Sequence, residues 1–354
     1  MTLLLKSENN KVTIYRLRIL RVLIMFPTNA NNVLTLKILD AFYKGEMPNS
    51  NSRLTEAASY HFKNPGKSFR AQLALSSGTA LGLNEHDNLH WAAACELLHN
   101  ASLIHDDISD SSTHRRGQES IHKHFGSDIA LCLGDWMIAK AFELASRNRA
   151  YGGLLVGLLA QSMQETCSGQ ISDITQRQCA ELDEWQRIAK GKTAPLLIAP
   201  MKGAALAAGL SSNLDSLKSL ETLVVFCGLA YQGRNDIDDI VPSSHRSSDL
   251  DGRKPNLVIS LFAKETLGRD NFNTWYMSSD NLLLTHWQRR IASSDAILHA
   301  NEFVDYWLVK AEQLVNQLPT QLQPVACGLV ASVKQKIVIK CQGGLVEFKN
   351  KGIR

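Results

Sequence analysis

Long stretches of this chain repeat apolar residues at i, i+3 and i+4, over 54–62, 68–82, 88–108, 128–146, 151–170, 182–208, 214–241, 255–267 and 297–318. That period gathers the apolar side chains on one stripe of an α-helix, and it excludes the strict alternation of a half-buried strand. Only nine prolines interrupt 354 residues. Polar breaks fall at 49–52, 64–66, 84–87, 111–118 and 242–255, where turn-forming residues gather. The pattern predicts an all-α, single-domain helical bundle of roughly a dozen helices. No linker is long enough to split it, and no repeat of solenoid period is visible. Residues 1–30 read as an N-terminal extension, with 31–354 as the domain. The extension is poor in acids and carries Arg16, Arg18 and Arg21 among apolar residues. An ordinary helix is expected there rather than a targeting or membrane-surface segment.

Composition narrows the functional classes. A formal net charge of +4 is too mild for a nucleic-acid binder, and no basic run is interleaved with aromatics. The seven cysteines are scattered, odd in number and without a CxxC pair, so neither a disulfide framework nor a zinc site is indicated. A reducing, cytoplasmic location is the expectation. No apolar run reaches the length of a transmembrane helix.

The chemistry concentrates in Leu97–Gly117, LLHNASLIHDDISDSSTHRRG. On a helix Asp106 and Asp110 leave the same face one turn apart, with Asp107 about 100° round from the first. Carboxylates this close raise one another's pKa unless a cation sits among them. An all-oxygen ligand set selects a hard ion such as Mg²⁺, which normally also binds a substrate phosphate. Arg115 and Arg116 follow, and their planar forks match phosphate oxygens. The other reading is a solvated acidic helix end followed by a basic loop. The apolar flank LLHNASLI argues against it, because such a run is buried and takes the carboxylates with it.

A second cluster, Asn235, Asp236, Asp238 and Asp239 in YQGRNDIDDI, again ends an apolar helical run. Asn235 and Asp239 share a face at i and i+4, so two helices could hold metal between them, as bundles do. Basic residues accompany both clusters: Lys67 and Arg70 after a turn, Lys192 beside Thr193, and Arg253 and Lys254 in the loop at 242–255. His99 lies seven residues before Asp106, on nearly the same face. Singly, each of these reads as a solvated cation or a satisfied core histidine.

Together, LLHNASLIHDDISD, RRG, IHKHFG and GDWMIAKAF, with PGKSFR, GKTAPLL, YQGRNDIDD and DLDGRKPNL, resemble the trans-isoprenyl diphosphate synthases, the polyprenyl synthetase family, in order and spacing. The similarity covers roughly residues 50–265. It implies the isoprenoid synthase fold, with helices around a central cavity and two aspartate motifs facing each other, and usually a homodimer. The first motif matches Asp106, Asp107 and Asp110, whose first and last members bind Mg²⁺. Lys67, Arg70, His99 and Arg116 fall where the family holds isopentenyl diphosphate. Arg115, Lys192, Thr193, Gln232 and Lys254 fall where it holds the allylic diphosphate. The resemblance puts Asp106, Asp107, Asp110, Lys192, Asp236 and Asp239 in catalysis, and Asp106, Asp110, Asn235 and Asp239 on the metals. Departures are Pro65–Gly66 for paired glycines, Ser68 for an arginine, Tyr231 for a phenylalanine, and Asn235 for the leading aspartate of the second motif.

The implied activity is Mg²⁺-assisted condensation of isopentenyl diphosphate with an allylic diphosphate. Ala101 and Ser102, five and four residues before Asp106, are small, whereas in the resembled family an aromatic at these places stops growth at farnesyl length. A geranylgeranyl or longer product is therefore the expectation. The alternatives are a terpene cyclase, a peptide or aromatic prenyltransferase on the same fold, and a weakly active partner subunit of a heteromeric synthase. A cyclase has no need of a second diphosphate site, and Asn235 is the one feature favouring the partner subunit.

Overall fold

The helical periods become helices close to where the sequence places them. In a computed structural model the described residues are 46, 48, 52–64, 66–176, 179–210, 213–241, 246–265, 269–278 and 281–342, so the extension at 1–30 lies outside them. The helices are α1 (Arg53–Lys63), α2 (Phe69–Ala80), α3 (Glu85–Ser109), α4 (Ile121–Phe125), α5 (Ser127–Ser146), α6 (Gly152–Thr175) and α7 (Leu182–Thr193). After them come α8 (Pro195–Ala207), α9 (Leu214–Ile240), α10 (Ser248–Gly252), α11 (Leu257–Glu265), α12 (Arg269–Met277), α13 (Leu284–Ala292), α14 (Ala296–Leu314) and α15 (Gln323–Gln342). Asn84 caps α3 by accepting the Asp87 N–H at 2.9 Å, and Glu85 and Asp87 in the first turn complement the positive end of the helix. Among the described residues no helix is long and apolar enough to cross a membrane.

Three features depart from the sequence pattern. The period at 182–208 is two helices, because Pro195 has no N–H to continue the first and instead starts the second at its first position. The break at 111–118 contains a short antiparallel hairpin, β1 (His114–Arg115) with β2 (Gln118–Glu119). The third departure is the set of helices outside the predicted periods: the short α4 and α10, and α12, α13 and α15. In 269–292 charged and aromatic residues interrupt the apolar pattern too often for periodicity to register.

Two apolar clusters form the interior. In one, Trp91, Leu97, Leu98 and Ile104 of α3 meet Leu133, Met137 and Leu144 of α5. In the other, Leu223, Cys227 and Ile237 of α9 meet Trp185 of α7 and Trp307 of α14, whose rings stack at 5.6 Å between centroids. α8 joins them, giving Leu196, Ala199 and Ala204 to the first and Leu197 and Met201 to the second. A helix apolar on every side belongs between two layers. This arrangement lets α3 and α9 both deliver their acidic C-terminal ends to one end of the bundle.

α6 and α7 cross backbone to backbone at Gly169 and Gly191. A Cβ built on Gly169 would stand 2.3 Å from the Gly191 carbonyl carbon and 2.4 Å from the Lys192 nitrogen. Neither is a flexible chain end, so the helices themselves would have to part. Gly169→Ala should therefore destabilise the protein by about 1–3 kcal/mol. Gly157→Ala, on the same helix but with open space around it, should stabilise by up to ~1 kcal/mol through helix propensity. Chemical denaturation of the two variants checks the opposite signs.

Candidate active site

Asp106, Asp107 and Asp110 sit at the C-terminal end of α3, where the helix dipole is negative and adds to their repulsion. Three cations answer. The Arg115 fork holds Asp107, with Nε at 2.8 Å from both carboxylate oxygens and Nη2 at 2.6 Å from Oδ1. Its Nη2 also reaches Asp106 Oδ2 at 3.5 Å. Lys192 Nζ lies 3.6 Å from Asp106 Oδ1 and 2.8 Å from Asp173 Oδ2. Lys254 Nζ donates to Asp110 Oδ2 at 2.8 Å. Burial pushes the Asp107 carboxyl up against the pull of Arg115. Burial also works against the Lys192 charge, but Asp106 and Asp173 outweigh it and raise its pKa.

The hairpin turn explains why adjacent arginines serve different places. Arg116 and Gly117 have φ of 54° and 78°, the pair of positive values that a two-residue hairpin turn demands. Glycine takes such a φ freely, while Arg116 is held in it by its own contacts. Its Nη1 donates to Asn64 O at 3.1 Å and to Asn100 Oδ1 at 3.3 Å. Arg115 thus turns to the carboxylates, and Arg116 turns away from them.

Arg116 joins a second, cationic group with Arg70 and His99. Burial, then the Arg70 and Arg116 charges, holds His99 well below the ordinary histidine range. Burial likewise works against the Arg70 charge, and Glu96 is the chief offset. Glu96 is buried, its own pKa raised by that burial, and it accepts the Ala71 N–H at 3.0 Å. Like charges crowded round a neutral histidine make a site short of an anion. Lys67 is exposed at the mouth of α2. Counted along α3, His99 and Asp106 are about 10 Å apart. The two charge groups are therefore neighbours, and Asp107, Arg115 and Arg116 line one cleft.

The second motif behaves differently from the expectation. Asp236 is fully buried, and its oxygens accept from Trp185 Nε1, Leu257 N–H and Gln232 Nε2, each at 2.8 Å. Burial, and next the Asp249 charge, pushes it well above the usual carboxylate range. Gln232 is thereby engaged with Asp236 rather than presented to a ligand. Asp239 accepts from the Ser247 hydroxyl, from Ser248 N–H at 3.0 Å and Oγ at 2.9 Å, and from Asp249 N–H at 3.2 Å. It caps α10, and in this arrangement its lone pairs are taken. Asp238 pairs with Arg234 at 3.2 Å. Asn235 is half-buried on the same turn, and Thr193 faces α9 at Gly228.

Three carboxylates that the sequence reading passed over belong here: Asp173, Glu96 and Asp249. Burial, then the Asp239 charge, raises Asp249 to about 6. Asp173 continues the face of α6 on which Ser162, Thr166 and Gly169 are buried, but small and polar residues give that face no apolar period to read. Arg253, read as a loop cation, instead donates to Leu250 O at 2.5 Å and Tyr276 O at 3.0 Å with its guanidinium over Trp275.

The donor chemistry fits a hard divalent cation. Asp106 and Asp110 share a half-buried face, and Asp106 is touched only at long range by its two cations. Oxygen-only donors of this kind suit Mg²⁺. Among the described residues no three acidic, histidine or cysteine side chains already converge as a ligand group. Asp173→Asn should lower turnover about tenfold or more by freeing Lys192 from its anchor. Steady-state kinetics on the folded variant checks this.

Residues 51–277 match the Polyprenyl synthetase family. A geranylgeranyl pyrophosphate synthase of Geoglobus acetivorans is 31% identical over 230 residues, 61% of this chain and 72% of that protein. A short chain isoprenyl diphosphate synthase of Methanothermobacter thermautotrophicus is 35% identical over 180 residues, 50% of this chain and 55% of its own length. The crystal structure of a decaprenyl diphosphate synthase from Rhodobacter capsulatus superposes with a TM-score of 0.77 at 20% identity, covering 87% of this chain and 98% of that one.

Proposed function

The chain belongs to the polyprenyl synthetase family, and from that premise we propose that it is a chain-elongating prenyltransferase joining isopentenyl diphosphate to an allylic diphosphate. The observation that carries this reading is the pair of charge groups gathered beside the C-terminal half of α3. One is Arg70, His99 and Arg116; the other is Asp106 and Asp110 with Arg115, Lys192 and Lys254. A cyclase would leave the first group without a ligand.

Asp106 and Asp110 would hold Mg²⁺, with Asn235 an uncharged oxygen donor on the facing helix. Bound there, the metal supplies positive charge to a departing diphosphate. Lys192, Arg115 and Lys254 exchange their carboxylate partners for diphosphate oxygens and stabilise the charge that develops as the carbon–oxygen bond breaks. Arg70, Arg116 and Lys67 hold the acceptor diphosphate, and His99, neutral, donates a hydrogen bond to it. The acceptor alkene then attacks the allylic cation, and the released diphosphate takes the proton that is lost. Leu97, Leu98 and Ala94 are buried further down α3 and keep water from the cation.

Product length follows the face that carries Asp106. Ser102 lies on it, half-buried, whereas Ala101 is about 140° round and fully buried in the packing against α5. Ser102 blocks nothing, which supports a geranylgeranyl or longer product. Exposed apolar residues on α5 and α6, among them Leu131, Leu154, Ile171 and Ile174, support a homodimer. Cys95, Cys132, Cys167, Cys227 and Cys327 carry free thiols, which fits a cytoplasmic location. A second reading, a partner subunit of low intrinsic activity, is favoured by Asn235 together with the engaged carboxylates of Asp236 and Asp239.

Incubation with isopentenyl diphosphate, each allylic primer and Mg²⁺, with products sized by mass spectrometry, decides between them. The isolated chain should elongate; turnover of an allylic diphosphate alone would establish a cyclase, and activity only beside a homologue a subunit. Asp106→Ala or Asp110→Ala should cost at least ~10²-fold in kcat. Ser102→Phe should shorten the product, read in the same assay.

A further inference from the structure

α8 carries a proline in its interior, Pro200. Proline has no N–H, so the carbonyl four residues back, that of Leu196, loses its helical donor. Arg70 takes the place of that donor: its Nε donates to Leu196 O at 3.1 Å, from a helix far away in sequence. The proline turn is itself held, because the buried Trp91 donates from Nε1 to Pro200 O at 3.0 Å with its ring against Gly203. A guanidinium anchored through Nε has its plane set and keeps both Nη groups for something else. Among the described residues those groups find no protein acceptor. Without the anchor, the neighbouring Arg116 charge and the entropy of a long side chain would both turn Arg70 out of the cleft.

We propose that Pro200 is a positioning residue of the acceptor site: by withholding a helical N–H, it leaves Leu196 O to hold Arg70 with both Nη groups turned toward a diphosphate. This rests on the elongation reading above. The effect is specific to one substrate, because Lys192 and Arg115 approach the allylic diphosphate from other elements.

Pro200→Ala supplies the missing N–H, which would compete for Leu196 O. The KM for isopentenyl diphosphate should then rise about tenfold, with kcat and the allylic KM within about twofold of the wild type. The thermal midpoint should stay level or rise, since alanine suits a helix interior better than proline. In an Arg70→Lys background, which lacks the Nε donor, Pro200→Ala should add nothing further. An unchanged acceptor KM, or effects that multiply in the double variant, would overturn the proposal. If the wild type does not elongate at all, the functional reading fails separately. Calorimetric binding of isopentenyl diphosphate to wild type and Pro200→Ala then reads the same question, with about tenfold weaker binding expected and equal binding refuting it.

Discussion

The C-terminal end of a helix is a poor place for negative charge, and this protein ends α3 with three carboxylates. Much of the surrounding architecture follows from that. Their mutual repulsion is offset by cations delivered from three other parts of the chain: Arg115 from the hairpin, Lys192 from the end of α7, and Lys254 from the segment after α10. The same cations are what a diphosphate would recruit. Charge balance without ligand and charge balance with ligand therefore use one set of side chains, exchanging partners.

Backbone geometry then assigns the cations to places. The positive φ values at Arg116 and Gly117 turn neighbouring arginines to opposite sides, so one sequence motif serves two anion sites. At Gly169 and Gly191 the absence of side chains lets α6 and α7 touch, which carries Asp173 to Lys192. In α8 the missing N–H of Pro200 leaves a carbonyl for Arg70. In all three cases an irregularity in a regular element sets a charged group.

The second acidic motif is built into the fold. Asp236 takes hydrogen bonds from α7, α9 and the start of α11, tying three elements at one fully buried point. Asp239 caps α10 and so shapes the segment that ends in Lys254. Removing either carboxylate would disturb the position of Lys254 as well as any ligand role. Replacing aspartate by the uncharged Asn235 beside them also relieves repulsion at a helix end already crowded with Asp236, Asp238 and Asp239.

The sequence by itself determined the helices and the chemical alphabet of the site. Apolar spacing located α1 to α3, α5 to α9, α11 and α14, because one-sided burial writes a 3.6-residue period into the chain. The i, i+4 spacing put Asp106 and Asp110 on one face, and the motifs marked Arg70, His99, Arg115, Arg116, Lys192 and Lys254. It could not separate the uses of like residues. Asp106 and Asp236 read alike as members of acidic clusters, yet one is half-buried beside two long-range cations and the other sealed under three donors. Nor could it find Asp173, Glu96 or Pro200, whose partners lie on other helices. Local period and composition are written along the chain; which hydrogen-bond donor reaches a given carboxylate depends on how distant helices pack, and only the tertiary structure decides that.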